Sequence, residues 1–294
     1  MAYRMISLTI QQSVILAKQA LHPFEQALFE AEILLAFTLD QPRSYLHAWP
    51  EQCLSSAQMA QFMQYLERRA RQEPLAYITG SKEFWSLSFL VDQHVLIPRP
   101  ETELLVELTL SLLDQSKPQQ IIDLGTGSGA IAIALATACP RWQIDATDIH
   151  PPAIALAKTN ARQLGIHSIA FHVGNWFQAL EGKTSTLSHQ YDIIVSNPPY
   201  IGSAEWPTYA TTLAFEPRQA LVSGETGLDA IIHISQSAQS YLRHGGYLML
   251  EHGASQGKAV RHLLSIMGYQ EIRTFTDLAG HQRATIGRFF TCLT

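Results

Sequence analysis

The sequence predicts an α/β protein with one large domain, built on an open, mostly parallel sheet with helices on both faces, and a smaller helical domain before it. From Gln119 onward, short β-rich runs alternate with helical stretches. Several of these runs are apolar throughout, as strands covered on both faces must be. Residues 1–80 instead carry apolar side chains at helical spacing and show no strand pattern.

The N-terminal domain, 1–80, is predicted to contain helices at 24–39 and 57–72, where apolar residues recur every three or four positions. Ser55 and Ser56 are candidate N-caps of the second helix. The basic run ERRAR within it is interpreted as the solvated face of a helix rather than as a binding patch.

Residues 81–98 are predicted to form a β-hairpin that links the two domains. The strand-like runs FWSLSFLV and HVLI are separated there by Asp92 and Gln93. A helix should follow, because Pro100 suits a first helical turn and Glu101 suits the positive end of a helix. The large domain is therefore predicted to span 99–294.

Seven strands are expected in the large domain, namely IIDLG, QIDATD, SIAFHV, YDIIVS, GGYLMLE, YQEIRTF and RATIGRFF. Helical patterns at 153–165 and 227–242 lie between them. The last two strands are joined by a short loop, so we expect an antiparallel pair at the edge of the sheet. The segments 181–189 and 202–212 are predicted to be loops.

The composition is that of an ordinary soluble protein, with 294 residues, 47% of them hydrophobic, and a formal net charge of -5. It offers no global basic field for nucleic acid. No apolar stretch is long enough for a membrane span, and the first residues do not resemble a secretory signal. Three cysteines without CxxC spacing indicate inert thiols in a reducing cytoplasm, and the twelve histidines form no metal motif. A cytoplasmic, metal-free protein is expected.

A glycine-rich stretch, IIDLGTGSGA at 121–130, stands between a predicted strand and a predicted helix. Residues 125–129 are Gly125, Thr126, Gly127, Ser128 and Gly129, and are called the glycine loop below. Glycines allow a sharp turn and the close approach of a ligand to the backbone. Ligands of open α/β sheets bind at this edge of the sheet. The fingerprint alone is weak, and a merely structural turn would fit it.

Two acidic residues sharpen the interpretation. Asp148 ends the next strand, where a carboxylate can accept both hydroxyls of a ribose, as nicotinamide cofactors and S-adenosylmethionine (SAM) require. Asp123 lies just before the glycines, where it would repel a pyrophosphate but would suit an ammonium group. Asp123 and the third glycine therefore favour SAM over NAD. In GNWF, Asn175 could bond the edge of an adenine and Trp176 could cover its face, although Trp176 would equally suit a core or a lid.

The stretch VSNPPYI ends the fourth strand with Asn197, Pro198, Pro199 and Tyr200. The carboxamide oxygen of Asn197 and the carbonyl of Pro198 can both accept hydrogen bonds, and a planar NH2 group offers two donors. This pair would hold a planar amine or amide and stabilise the positive charge that develops on its nitrogen during methyl transfer. Tyr200 would form a wall of the site. We therefore predict that Asn197, Pro198 and Tyr200 carry the chemistry.

Together these motifs resemble one known group. DLGTGSG with NPPY looks like the class I SAM-dependent methyltransferases that modify planar nitrogens. EFWS, LIPRPETE, GNWF, VSNPPYI, FEPRQAL and LEHG together resemble the HemK/PrmC family, the peptide chain release factor glutamine N(5)-methyltransferases. The resemblance spans both halves of the chain.

The resemblance implies a cytoplasmic enzyme that methylates the glutamine of the Gly-Gly-Gln loop of class I release factors. A monomer that makes no direct contact with nucleic acid is expected. The resemblance also implies that the glycine loop, Asp148, Trp176 and Asn197 bind SAM, while Asn197, Pro198, Pro199 and Tyr200 hold the glutamine. Asp123 matches the acid that the family places before the glycines. For Phe84, Arg99 and Glu103 it implies only proximity to the site.

Other functions remain open at this point. A ribosomal-protein glutamine methyltransferase would share the chemistry, but that group shows PRSP where this chain reads PRPETE. A DNA adenine methyltransferase would share NPPY, but would need a basic target-recognition region. A silent nucleotide-binding module is disfavoured by the intact acidic residues and Asn197. A dehydrogenase lacks a hydride-transfer acid or base beside NPPY.

Overall fold

The computed structural model describes residues 8–22, 24–181 and 190–291. Cys292 and most of the predicted loop at 181–189 lie outside these ranges. The chain divides into two compact units that meet between Gly80 and Ser81 in sequence. No helix in the described ranges is long and apolar enough to cross a membrane.

The first unit is helical and has its own apolar core, which includes Leu34, Leu35 and Phe62. A capping box starts its longest helix, with the Ser55 hydroxyl accepting from the Gln58 backbone and the Gln58 side chain accepting from the Ser55 backbone. The helices are α1 (Ile10–Ala20), α2 (Ala27–Leu39), α3 (Arg43–Ala48), α4 (Ser56–Ala70) and α5 (Leu75–Thr79).

A hairpin follows, but it differs from the predicted one. Strands β1 (Ser81–Phe84) and β2 (Leu87–Leu90) pair antiparallel around a two-residue turn at Trp85 and Ser86. Both turn residues have positive φ, 53° and 57°, which matches the right-handed twist of a hairpin. The predicted turn at Asp92 and Gln93 is therefore wrong, and the HVLI segment is not a strand.

The predicted mostly parallel, seven-stranded sheet is confirmed. In spatial order the strands run β5-β4-β3-β6-β7-β9-β8. The last strand in sequence, β9, lies between β7 and the edge strand β8 and is antiparallel to both. The strands are β3 (Gln120–Leu124), β4 (Gln143–Asp148), β5 (Ile169–Val173), β6 (Tyr191–Ser196), β7 (Leu242–Glu251), β8 (Gln270–Thr276) and β9 (Gln282–Arg288).

Six helices in the described part of this unit accompany the sheet. Seven of the nine residues of α7 are buried, so this helix reads as apolar on every side. The segment at 202–212, predicted as loop, contains one short helix, α9. The helices are α6 (Glu103–Leu112), α7 (Ala130–Ala138), α8 (Pro151–Gln163), α9 (Trp206–Tyr209), α10 (Asp229–Ala238) and α11 (Gly257–Ile266).

The register of the central strands places their polar ends together. Leu124 of β3 is level with Thr147 of β4 on one side and with Ser196 of β6 on the other. The residues that follow all three strands therefore emerge at the same edge of the sheet. This is the edge where open α/β sheets bind ligands.

Candidate active site

A cleft opens at this edge of the large unit. Residues 125–128 and the segment after β4 line its middle, as the strand order implies, and Asn175 and Trp176, which follow β5, line one side. Asn197 and Pro199 line the opposite side. The cleft is further lined by His94, Val95, Leu96, Pro98, Arg99, Thr102, Ala130, Ile131, Asp148, Ile149, His150, Gln219 and Ala220.

The glycine loop needs its glycines for backbone conformation and for space. Gly125, Gly127 and Gly129 have φ of 73°, 56° and 86°, a region that L side chains rarely adopt. A Cβ on Gly125 would stand 3.2 Å from the Trp176 ring, and one on Gly129 would stand 2.8 Å from Ile133. A Cβ on Gly127 would meet nothing within 4 Å. Gly127 therefore leaves its backbone open to a ligand.

Asp148 is fixed by the backbone beside the glycine loop. Its two carboxylate oxygens accept hydrogen bonds from the N–H groups of Gly127 and His150, each at 2.9 Å. Burial raises the pKa of this carboxyl, while the two backbone donors lower it. Each oxygen keeps a further lone pair. Asp148 can thus accept hydrogen bonds from a vicinal diol in the cleft.

Asp123 lies beneath the glycine loop and does not line the cleft. It is fully buried, and one oxygen accepts from the Thr126 hydroxyl at 2.7 Å. The other oxygen, Oδ1, has no hydrogen-bond partner among the described residues. Burial raises the pKa of the carboxyl to about 7. A buried carboxylate with an orphaned oxygen favours a cation nearby.

Trp176 covers the glycine loop from the side. It follows β5 in a tight turn and has a φ of 49°. Its ring is the group that a side chain at Gly125 would strike. Ile149, which follows the neighbouring strand β4, also lines the cleft and has 61% of its surface exposed. The apolar side chains of Trp176 and Ile149 are both suited to pack against a flat ring. The sequence did not identify Ile149 as a site residue.

Asn197 follows β6, and its amide has a defined orientation. The amide nitrogen donates to the Thr102 hydroxyl at 3.0 Å. The carboxamide oxygen, Oδ1, is left as the acceptor. Ser196, just before it, is buried and donates its hydroxyl to the carbonyl of Leu124 at 2.7 Å. This bond ties the ends of β6 and β3 together and holds Asn197 beside the glycine loop.

The other residues of NPPY take different positions. Pro199 lines the cleft, whereas Pro198 is buried behind it. Tyr200 does not line the cleft. Its hydroxyl is directed at Glu251, 3.4 Å away, and its carbonyl accepts from the side chain of Gln256 at 2.9 Å. Burial, and then the charge of Glu251, raises the pKa of Tyr200.

Glu251, at the end of β7, is a buried carboxyl whose chemistry the sequence did not reveal. Only 1% of its surface is exposed, and its Oε2 has no hydrogen-bond partner among the described residues. Burial raises its pKa to about 7. LEHG marks the position in the sequence, but only the sheet places it beside Tyr200.

Phe84, Arg99 and Glu103, which were expected only to lie near the site, occupy three different environments. Arg99 lines the cleft and forms an ion pair with the buried Glu216. Phe84 instead packs edge-on against Phe89 in the core. Glu103 accepts from the backbone N–H of Trp85 at 2.7 Å and so fastens the hairpin turn to the start of α6.

No group of three or more His, Cys, Asp or Glu side chains that could hold a metal occurs within residues 8–22, 24–181 and 190–291.

Two family models match the chain. The model described as "PrmC N-terminal domain" matches residues 14–80, and the model described as "Methyltransferase small domain" matches residues 101–227. The second match contains the glycine loop, Asp148 and Asn197.

Curated relatives match nearly the full length. A "Release factor glutamine methyltransferase" of Aliivibrio fischeri is 44% identical over 260 residues, which are 88% of this chain and 89% of the relative. One of Vibrio cholerae is 43% identical over 291 residues, covering 97% of this chain and 99% of the relative. The chain belongs to the release factor glutamine methyltransferase family. The predictions of the family and of a methyltransferase are thereby confirmed.

Solved structures support the fold. A methyltransferase from Pyrococcus furiosus superposes with a TM-score of 0.53 at 15% identity, covering 76% of this chain and 99% of its own. At this identity the likeness concerns the fold alone. It agrees with the α/β methyltransferase fold that the sequence predicts.

Proposed function

We propose that this protein transfers a methyl group from SAM to the side-chain amide nitrogen of the glutamine in the Gly-Gly-Gln loop of class I peptide chain release factors. The observation that carries the proposal is the orientation of Asn197. Its amide nitrogen is engaged by Thr102, so its Oδ1 is left to accept a hydrogen bond from an incoming NH2 group. Family membership supplies the release factor as the target.

The residues of the cleft fit SAM. Asp148 would accept the ribose hydroxyls, Asn175 would bond the adenine edge, and Trp176 and Ile149 would cover the adenine. The glycine loop would lie against the ligand with open backbone at Gly127. The orphaned oxygen of Asp123 would stabilise the amino-acid ammonium from beneath the loop. When bound there, SAM supplies an electrophilic methyl group.

The Oδ1 of Asn197 would be one acceptor for the substrate amide, and the backbone carbonyl of Pro198 would be the second, although Pro198 itself is buried and does not line the cleft in this structure. An amide nitrogen is a poor nucleophile because its lone pair is delocalised. Two acceptors bonded to its N–H groups orient it and stabilise the positive charge that develops as it gains a methyl group. The proline backbone limits how far these acceptors can move. No strong general base is needed first, since the proton can leave once the nitrogen is cationic.

Tyr200 and Pro199 would complete the substrate side. Pro199 lines the cleft and can pack against the flat amide. Tyr200 stands behind it and would act through its contact with Glu251. We further propose that residues 1–80 form a recognition domain for the release factor, that 81–98 link it to the methyltransferase domain 99–294, and that the enzyme acts in the cytoplasm as a monomer without nucleic acid.

A labelled-methyl assay tests this function. The purified protein is incubated with labelled SAM and, separately, with a class I release factor, the same factor with its loop glutamine replaced, ribosomal protein, and DNA. We expect label only on the intact factor. Label on DNA or on the glutamine-less factor, or no label on the intact factor, would overturn the proposal.

A further inference from the structure

We propose that Gln256 is a positioning residue for the methyl transfer, because its side-chain amide anchors the far end of the NPPY segment, residues 197–200, at the carbonyl of Tyr200. Gln256 immediately precedes α11 and does not line the cleft. It would act by holding the two substrate acceptors, on Asn197 and Pro198, in place. This inference rests on the proposed function, since it specifies how the acceptors of that reaction are held.

The NPPY segment depends on anchors at its two ends. Its two prolines have no backbone N–H, so the middle of the segment cannot donate backbone hydrogen bonds. At the start, the Ser196 hydroxyl donates to the carbonyl of Leu124 at 2.7 Å. At the end, the side-chain nitrogen of Gln256 donates to the carbonyl of Tyr200 at 2.9 Å. Because the proline rings also fix φ, few torsions remain to absorb a displacement of either end.

The three partners of the Gln256 amide determine its orientation. Its Oε1 accepts from the backbone N–H of Gly253 at 2.8 Å, and its Nε2 donates to the carbonyls of Tyr200 at 2.9 Å and Thr226 at 3.3 Å. A backbone N–H can only donate and a backbone carbonyl can only accept. The reversed amide would therefore set like groups against each other at all three contacts.

Gly227 shows how closely this anchor is packed. It has a φ of 78°, and a Cβ there would stand 2.2 Å from the carbonyl oxygen of Tyr200 and 2.8 Å from Nε2 of Gln256. Just beyond the anchor, the N–H of Ile201 donates to the carbonyl of Leu221 at 2.9 Å. The end of the NPPY segment is thus held between the loop after β7 and the loop before α10.

The test compares Gln256→Glu with the wild type on a release factor at saturating SAM. A charged carboxylate of the same shape still accepts from Gly253, but it has no donor and repels the carbonyl of Tyr200. At a pH of about 8, kcat should fall by about tenfold or more, while the Kd of SAM changes by less than about threefold. Gln239→Glu is the matched control, because Gln239 is also half-buried, donates its side-chain amide to the carbonyl of Met267 and does not line the cleft.

The pH profile of Gln256→Glu is a readout that a mere loss of packing would not move. When the new carboxyl is protonated, its hydroxyl can donate to the carbonyl of Tyr200 and restore the anchor. The ratio of variant to wild-type kcat should therefore rise as the pH is lowered from about 8 to about 5.5. The titratable side chains of the surrounding segments occur in both proteins, so this ratio reports the new carboxyl. They are Tyr200, Glu225, Glu251, His252 and Lys258.

A spectroscopic measurement does not depend on turnover. The carbonyl carbon of Tyr200 is followed by NMR, and its resonance should shift in Gln256→Glu at a pH of about 8 and return toward the wild-type position in acid. Gln256→Met has a similar length and no amide, so it should show the shift and a lowered kcat at every pH. This variant carries the test if the carboxylate prevents folding, which melting curves reveal.

The outcomes separate the anchor from the proposed function. If the variants at position 256 keep the wild-type kcat, or if Gln239→Glu loses as much, the positioning role is wrong while the methyltransferase function stands. A loss of SAM affinity as large as the loss of kcat, or a folded Gln256→Glu that does not recover in acid, would also overturn the role. If the wild type fails to methylate release factors but the Tyr200 resonance shifts as expected, the proposed function is wrong while Gln256 still anchors the segment.

Discussion

The side chain of Asn160 is bonded to both backbone groups of Leu90, accepting from its N–H at 2.8 Å and donating to its carbonyl at 3.0 Å. It also donates to the carbonyl of Ser128 in the glycine loop at 2.9 Å. Asn160 has no exposed surface. A single buried amide on α8 thus joins the hairpin strand β2 to the cofactor side of the cleft.

Replacing Asn160 with leucine should therefore affect both stability and binding. Three hydrogen bonds would be lost and the part-buried backbone groups of Leu90 would lose their side-chain partner, which should lower the free energy of unfolding by about 3 kcal/mol. SAM affinity should fall as well, because the glycine loop loses an anchor. Denaturant unfolding and calorimetry measure the two effects. Gln163→Leu, at an exposed position of the same helix, is the control, and an equal loss there would contradict the explanation.

Gly125 and Gly165 have nearly the same φ, so alanine substitutions at these two positions can distinguish the effect of backbone strain from the effect of a lost ligand contact. Gly125 has a φ of 73° and faces the Trp176 ring, whereas Gly165 has a φ of 71° and no atom within 4 Å of a built Cβ. Alanine at either position should lower the free energy of unfolding by about 1 kcal/mol through strain. Only Gly125→Ala should also weaken SAM binding, as titration calorimetry would measure. A comparable loss of affinity in Gly165→Ala would show that strain alone is responsible.

Alanine at position 197 should impair the transfer step more than cofactor binding. Removing Oδ1 takes away an acceptor that matters most when the substrate nitrogen becomes cationic, so kcat should fall by about 100-fold or more. The Kd of SAM should change much less. Asn175→Ala should show the opposite pattern, with weaker SAM binding and a nearly normal rate at saturating SAM. Abolished SAM binding in Asn197→Ala would contradict its assignment as the substrate's acceptor.

SAM binding should strengthen with pH through neutrality. The pKa of Asp123 is raised to about 7, so this carboxyl is neutral below that pH and charged above it. A ligand ammonium favours the charged form, and the Kd should therefore decrease as the pH rises, by up to about tenfold per unit below the pKa. Asp123→Asn should flatten this dependence. A slope as steep in the variant as in the wild type would assign the titration to another group.

The sequence predicts the sheet and the ends of its strands because apolar runs, glycines and prolines are local signals. Residues 125–128 of the glycine loop, Asp148, Asn197 and Pro199 line one cleft, as strand alternation implies. The spatial order of the last strands could not be predicted, since nothing local in RATIGRFF shows that β9 inserts between β7 and β8.

The supporting residues were not predictable for a related reason. Thr102, Asn160 and Glu251 are ordinary polar residues in helical or apolar contexts, and their partners are distant in sequence. Their importance depends on burial, which only the folded chain defines. The hairpin turn was misplaced because Trp85 and Ser86 carry no asparagine or glycine signal for positive φ.

The position of β9 also bears on how the large unit assembles. The edge strand β8 precedes β9 in the chain, yet its sheet pairing is with β9 alone. During synthesis β8 must therefore wait without a sheet partner until the following strand has been made and inserted beside β7. Until then the exposed rim of β7 is a template for pairing with other chains. Truncations within β9 should consequently yield aggregation of nascent protein rather than a smaller folded enzyme.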